Sequence, residues 1–280
     1  MVRTTTSING RLVPRREAKI SVFDNSLLYA EGLFETFLAV GEEAIFADEH
    51  FDRLQRGAQT IGLELPVPID RLRMWITRTL RAHRSPLKKL RMTVTSGESA
   101  RWLGRAGRPQ VILTAAPHEL PTKPFRLHVS RFKVDHQSVF RQVKTLSYAL
   151  NAAALKQAVE DGCDDALLIN LRGNVAEVTS ANVFWVDGDR IYTPPLTAGC
   201  LEGVTRRIVL REAQELGLRI REKRCPLACL LEADEVFISS SLKLVLGVGM
   251  IHHEGRRQRL RTGPVTSTFR KHFRKLAGVA

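Results

Sequence analysis

The sequence predicts an α/β protein of two domains, and three observations carry that reading. Apolar residues recur at helical spacing in some segments and run continuously or alternate in others. Strand-like and helix-like patterns follow one another along the whole 280-residue chain. Pro117, Pro121 and Pro124 crowd one stretch near the middle, which can continue neither a helix nor a central strand. That stretch separates a small α/β domain over 1–118 from a larger one over 126–280, with 119–125 as the proline-rich linker.

The first domain opens on a hairpin over 8–13, with Asn9-Gly10 at its turn. Strands follow over 33–40 and 44–47, around Gly41. Asp48 is placed to cap a helix whose apolar face is Phe51, Leu54, Ala58 and Ile61, and Gly62 ends it. A second helix follows Pro68, with Leu72, Trp75, Ile76, Thr79 and Leu80 inward. Strands over 90–95 and 110–114 flank a glycine-rich loop, 96–108. The second domain alternates: a strand over 127–132, a helix over 148–160 stopped by Gly162, and a strand over 165–170. A turn at Gly173-Asn174 leads to strands around Glu177, over 183–186 and over 190–192. A helix runs from Val204 to Gly217, and 235–239 and 245–251 read as buried strands.

Composition narrows the class. Hydrophobic content of 44% and charged content of 26% are those of a globular protein. No run reaches the ~18 apolar residues of a membrane span, and the N-terminus has no apolar signal region, so a cytoplasmic location is expected. The net charge of +14 favours anionic partners. Its densest part, 256–261 and 270–275, reads as the solvated face of a terminal helix rather than a nucleic-acid contact, since no aromatics interleave with it. Cys163, Cys200, Cys225 and Cys229 read as reduced, mostly buried thiols. No metal site is expected, because Cys225 and Cys229 have no second ligand pair nearby.

Three features carry chemistry. Lys144 stands before an alanine-rich helix, where lost solvation would favour a neutral, imine-forming amine. On spacing alone, an exposed lysine among 43 basic residues fits better. Glu177 lies between apolar residues and needs a cationic partner, for which a protonated pyridine nitrogen and an arginine serve equally. Gly203-Val204-Thr205-Arg206 opens a helix, and its backbone N–H groups and dipole suit a phosphate. Ser239-Ser240-Ser241 offers hydroxyls and amides of the same kind. Each feature alone is common.

In this order they resemble the class IV pyridoxal 5'-phosphate (PLP) enzymes, or fold type IV, which include branched-chain and D-amino-acid aminotransferases and aminodeoxychorismate lyase. The resemblance begins with FDNSLLYAEGLFETF over 23–37 and HFDRL over 50–54. It continues through Lys144, AEVTSANVFW over 176–185, the helix start at Gly203 and ADEVF over 233–237. It implies a small α/β sandwich domain, a larger α/β pseudobarrel domain, bound PLP and a homodimer. By the same resemblance Lys144 is the Schiff-base lysine and proton shuttle, and Glu177 is the partner of the pyridine nitrogen. Arg53, Val204, Thr205, Ser240 and Ser241 form the phosphate cradle, and Tyr148 stands beside the cofactor. Tyr29, Phe34 and Arg101 line a pocket for a small anionic amino substrate.

Within the family, FETF over 34–37, NVFW over 182–185, IYTP over 191–194 and SSSL over 239–242 look most like aminodeoxychorismate lyases. These enzymes release pyruvate and form 4-aminobenzoate for folate biosynthesis. The alternative is an amino acid transaminase. The branched-chain type fits better than the D-amino-acid type, because Arg101-Trp102-Leu103 keeps the arginine of that type but not its histidine. Two departures bear on substrate choice: Ala30-Glu31 stands where glycine and aspartate are usual, and Leu246-Gly247-Val248 lacks the usual proline.

Overall fold

The computed structural model describes residues 4–98 and 107–279. The chain divides into two compact units, Met1–Leu120 with Val143–Ser147, and Pro121–Gln142 with Tyr148–Ala280. Five residues around Lys144 therefore pack with the first unit, although the sequence reading assigns them to the second domain.

The first unit opens on strands β1 (Thr5–Ile8) and β2 (Arg11–Val13). The turn between them passes through Asn9 and Gly10, at φ 50° and 79°, the left-handed conformations that a two-residue hairpin requires. A one-turn helix α1 (Asn25–Tyr29) follows, which the apolar pattern does not predict because Leu27, Leu28 and Tyr29 all face outward. Asp24 caps it by accepting from Ser26 N at 2.8 Å, and Ala30 ends it at φ 56°, a left-handed position where glycine is easier.

Strands β3 (Gly32–Val40) and β4 (Glu43–Ala44), helices α2 (Ala47–Ile61) and α3 (Ile69–Arg81), and strands β5 (Leu87–Thr95) and β6 (Val111–Pro117) complete the unit. Phe46 rather than Asp48 occupies the N-cap of α2, and Asp48 instead pairs with Arg73 in the first turn. All pairings in the six-stranded sheet, β2-β1-β6-β5-β3-β4, are antiparallel. Phe51, Leu54 and Ala58 of α2 and Leu72, Ile76 and Leu80 of α3 bury their apolar faces in one core with Phe37, Leu90 and Met92 of the sheet.

The second unit runs β7 (Phe125–Val134), α4 (Ala149–Glu160), β8 (Asp165–Asn170), β9 (Val175–Val178), β10 (Asn182–Asp187), β11 (Arg190–Thr193), α5 (Val204–Glu215) and β12 (Arg219–Glu222). It ends with α6 (Ala228–Leu231), β13 (Glu235–Ser240), β14 (Leu244–His253), β15 (Arg256–Arg259) and α7 (Pro264–Leu276). The sheet order is β12-β11-β10-β13-β14-β7-β8-β9, with β15 on β14. A bridge between Val178 and Ala181 brings β9 back to β10, so the sheet curls upon itself as a pseudobarrel does. Helix α4 packs on β7 and β8, α5 on β13, and α7 on β13 and β14.

One expectation fails here. Cys225 and Cys229 are joined as a disulfide rather than reduced, with Cys229 in the first turn of α6 and the two Cα atoms 6.2 Å apart. Among the described residues, no helix is long and apolar enough to cross a membrane.

Candidate active site

Each unit positions its own share of the candidate residues. In the first, the Lys144 segment lies along β3. Phe34 N donates to Lys144 O at 3.0 Å, and Leu146 N donates to Gly32 O at 3.0 Å. Gly32 permits this approach, because a Cβ there would stand 2.7 Å from Leu146 Cδ1 and 2.6 Å from Val94 O. So held, Lys144 Nζ sits 4.3 Å from the centroid of the Phe34 ring. The Arg91 guanidinium lies 3.8 Å from the same centroid. Two cations thus converge on one aromatic ring.

Strand alternation explains the arrangement. Phe34 and Thr36 pair with Thr93 and Arg91 of β5, so these side chains share a face. Glu35 points to the other, toward α2. There Arg53 donates from Nε to Glu35 Oε1 at 2.8 Å and from Nη2 to Glu35 Oε2 at 2.5 Å. His50 Nδ1 stands 2.7 Å from Glu35 Oε2. All three are buried. Burial alone would raise the Glu35 pKa, but the charges of Arg53 and then His50 outweigh it and hold the carboxyl at about 2. Burial pushes the His50 pKa down. Arg53, expected in the phosphate cradle, is therefore fixed by a bidentate pair with Glu35.

In the second unit, Glu177 on β9 is buried and its cationic partner is Arg141, whose Nη2 lies 2.5 Å from Glu177 Oε1. Leu201 N donates to Glu177 Oε2 at 2.9 Å, and Arg141 Nε to Gly199 O at 3.0 Å. The arginine option of the sequence reading is thus realised. A carboxylate offers about four acceptor positions, so it retains capacity for a pyridine N–H. Beside it, Tyr148 OH donates to Thr179 O, which also accepts from Asn151 Nδ2 at 2.8 Å. Burial first, then the charges of Glu177 and Asp165, raise the Tyr148 pKa, so the phenol is neutral and can donate. Asp165 anchors the 177–180 turn by accepting from Thr179 Oγ1 and, at 2.6 Å, from Ser180 Oγ.

The start of α5 fits a phosphate. Gly203 occupies its N-cap with no side-chain cap bond, and Val204 and Thr205 form the first helical positions. The hydroxyls of Thr205 and of Ser240, at the end of β13, are buried with no hydrogen-bond partner. An unpartnered buried hydroxyl costs about 1–3 kcal/mol, a cost that an anionic acceptor would relieve. A Cβ at Gly203 would collide with Asn182 Oδ1; Asn182 Nδ2 in turn holds Leu201 O at 2.8 Å. Burial raises the pKa of nearby Cys200 to about 12, leaving a neutral thiol.

The structure thus groups Phe34 with Lys144, Glu177 with Tyr148, and helix α5 with β13, the strand that ends at Ser240. Ser241 follows that strand directly. Tyr29 is half-exposed at the end of α1, and Arg101 lies outside the described residues. Arg91 and Arg141 were not singled out by sequence. The signal for Arg91 was available, since alternation in 87–95 sets it on the face opposite Leu90, Met92 and Val94.

Residues 32–251 match the family described as amino-transferase class IV. The D-alanine aminotransferase of Bacillus licheniformis is 32% identical, over 87% of this chain and 87% of its own. The branched-chain-amino-acid aminotransferase of Pseudomonas aeruginosa is 29% identical, over 95% of this chain and 90% of its own. For the aminodeoxychorismate lyase of Bacillus subtilis the identity is 29%, over 84% and 82%. Among solved structures, the branched-chain aminotransferase of the thermophilic archaeon Thermoproteus uzoniensis, crystallised with norvaline, superposes with a TM-score of 0.90 and 28% identity, covering 98% of this chain and 95% of that one.

Proposed function

The chain belongs to the class IV aminotransferases, enzymes that work with pyridoxal 5'-phosphate, and from that premise we propose that it is an amino acid transaminase of the branched-chain type. The local motifs favour the lyase, but the branched-chain relatives support the transaminase more strongly, since they match almost the whole chain in sequence and fold. The observation that carries the cofactor assignment is the pair of buried, unpartnered hydroxyls of Thr205 and Ser240 at the uncapped start of α5.

When bound, PLP supplies an electron-accepting ring and a carbon that exchanges amino groups. Thr205 and Ser240 donate to the phosphate through their hydroxyls, Val204 and Thr205 through backbone N–H groups, and Ser241 through a hydroxyl or amide. Arg53 adds a fixed positive charge. Glu177, immobilised by Arg141 and Leu201, accepts the pyridine N–H and keeps that nitrogen protonated. Tyr148 donates from a neutral phenol. Lys144 Nζ would be the covalent anchor and, once the substrate amine has displaced it, the base that carries the substrate's α-carbon proton across to the cofactor carbon. Arg91, held over Phe34, binds the substrate carboxylate, while Phe34 itself and Tyr29 face the substrate side chain. Arg101 belongs to the same pocket by resemblance.

We assign the active form to a homodimer. Val22, Phe23, Leu27, Leu28 and Tyr29 are all more than half exposed, a run of apolar residues that a second copy would cover.

Purified protein should show the visible absorption of Lys144-bound PLP, and Lys144→Ala should lose it while keeping the far-UV spectrum of the wild type. A colourless wild type that cannot be reconstituted with PLP overturns the enzyme assignment. L-Leucine should convert the cofactor to the pyridoxamine form. Conversion by D-alanine alone would move the assignment to the D-amino-acid type. The second reading, the lyase, rests on the Bacillus subtilis relative and prevails if aminodeoxychorismate yields pyruvate while no amino acid bleaches the band.

A further inference from the structure

The second unit carries a cluster that cofactor chemistry does not use. His128 on β7 and His252 on β14 are direct partners in the parallel pairing of those strands. Their side chains therefore leave the sheet on one face, and the rings meet edge to face with centroids 5.6 Å apart. Asp161 reaches the same point from a third element. It is the C-cap of α4, and its Oδ2 stands 2.9 Å from His128 Nδ1. That approach is within ion-pair reach, yet His128 Nδ1 forms no hydrogen bond. His252 Nδ1 is likewise buried without a partner. One nitrogen from each ring and one oxygen of Asp161 all lie within 4.8 Å of one another.

We propose that His128, Asp161 and His252 form a binding site for a divalent transition metal of the zinc type. Two imidazoles and one carboxylate are the donor set of such ions, whereas magnesium and calcium prefer oxygen alone. Three protein ligands leave one tetrahedral position for water. Donors bound to zinc at about 2.0–2.2 Å lie roughly 3.5 Å from one another, so the cluster must contract by about 1 Å. His128 Nδ1 and Asp161 Oδ2 already stand 2.9 Å apart, so the contraction brings His252 toward that pair, with the 41% exposed Asp161 side chain able to adjust to it.

Two guanidiniums stand nearby. Arg126 is engaged by Asp164 at 2.8 Å, and Arg257, exposed on β15, pairs with His252 across the strands. Both disfavour a cation held by charge alone. The affinity must come from imidazole lone pairs, which selects a transition metal over an alkaline-earth ion.

The site is separate from the cofactor. Tyr148 and Asp161 cap opposite ends of α4, a 12-residue helix about 18 Å long. A bound ion would join α4, β7 and β14 at the end remote from Tyr148. Its role is to brace the unit rather than to take part in amino transfer.

The test uses the PLP-loaded enzyme, freed of metal with a chelator and titrated calorimetrically with Zn2+. Wild type should bind one equivalent per chain and gain in Tm with added Zn2+. His252→Gln and Asp161→Asn should each weaken binding about tenfold or more, and both should keep wild-type transaminase activity and metal-free Tm. A wild type that takes up no zinc overturns the proposal. Wild-type binding in either variant overturns it too, because the ion would then be held elsewhere or the groups would serve packing alone. Asp161→Asn changes a half-exposed side chain at a helix end, so it remains decisive if His252→Gln fails to fold.

Discussion

At the scale of single residues, the site is marked by polar groups that lack something. The hydroxyl of Thr205 is buried with no partner in the protein, while its neighbours at the start of α5 offer backbone donors and no side-chain cap. Thr205→Val removes the hydroxyl and keeps the shape. Metal-free, cofactor-free protein should then be as stable as wild type or slightly more so, because an unsatisfied group has been deleted. PLP affinity should fall about tenfold, the weight of one hydrogen bond to a charged oxygen; fluorescence titration of the cofactor-free protein measures it. Equal losses in both quantities would mean that the hydroxyl is structural. The need of Glu177 for a cation was legible from its apolar surroundings. Its partner was not, since nothing in the sequence separates Arg141 from the other arginines, and only the fold brings its guanidinium to 2.5 Å. The histidine pair was invisible for the same reason: His128 and His252 stand far apart in the chain and meet through strand register.

At the scale of elements, β3 and α2 are locked by the buried contacts of Glu35 with Arg53 and His50. The Glu35 carboxyl lies at about 2 in the folded protein against 4.5 for an ordinary glutamate. Its ionised form is thus favoured by folding, and the sign of the linkage follows. This stabilisation is complete above the unfolded value of 4.5 and is lost as pH falls from there toward 2. Glu35→Gln should lower stability at neutral pH by about 3–5 kcal/mol, because it removes the carboxylate that pairs with the buried Arg53. It should also flatten the decline of Tm over that acid window, as thermal unfolding at a series of pH values would show. A wild-type acid profile in the variant would assign the decline to other carboxylates. Elements with strong periodicity, such as α2, α3 and the buried strands, were legible in the sequence. The strands β12 and β15 were not: all residues of β15 and most of β12 face solvent, so no apolar alternation marks them. They exist because β11 and β14 offer edges to pair with.

At the scale of the whole molecule, a net charge of +14 suits anionic substrates and keeps chains apart, so any self-association must rest on local apolar contact. Sedimentation should give a dimer for wild type, and Leu27→Asp should shift it toward monomer; a monomeric wild type overturns the homodimer. Lys144 is backed by Gly32 and Phe34, about 110 positions earlier in the chain. Closing so long a loop carries an entropic cost that only later contacts recover. The lysine therefore acquires its aromatic floor late, after β3 has formed and the chain has returned to it. Capture of the coloured cofactor is then a clock for that closure, and a newly made chain stays colourless until the segment around Lys144 has met β3.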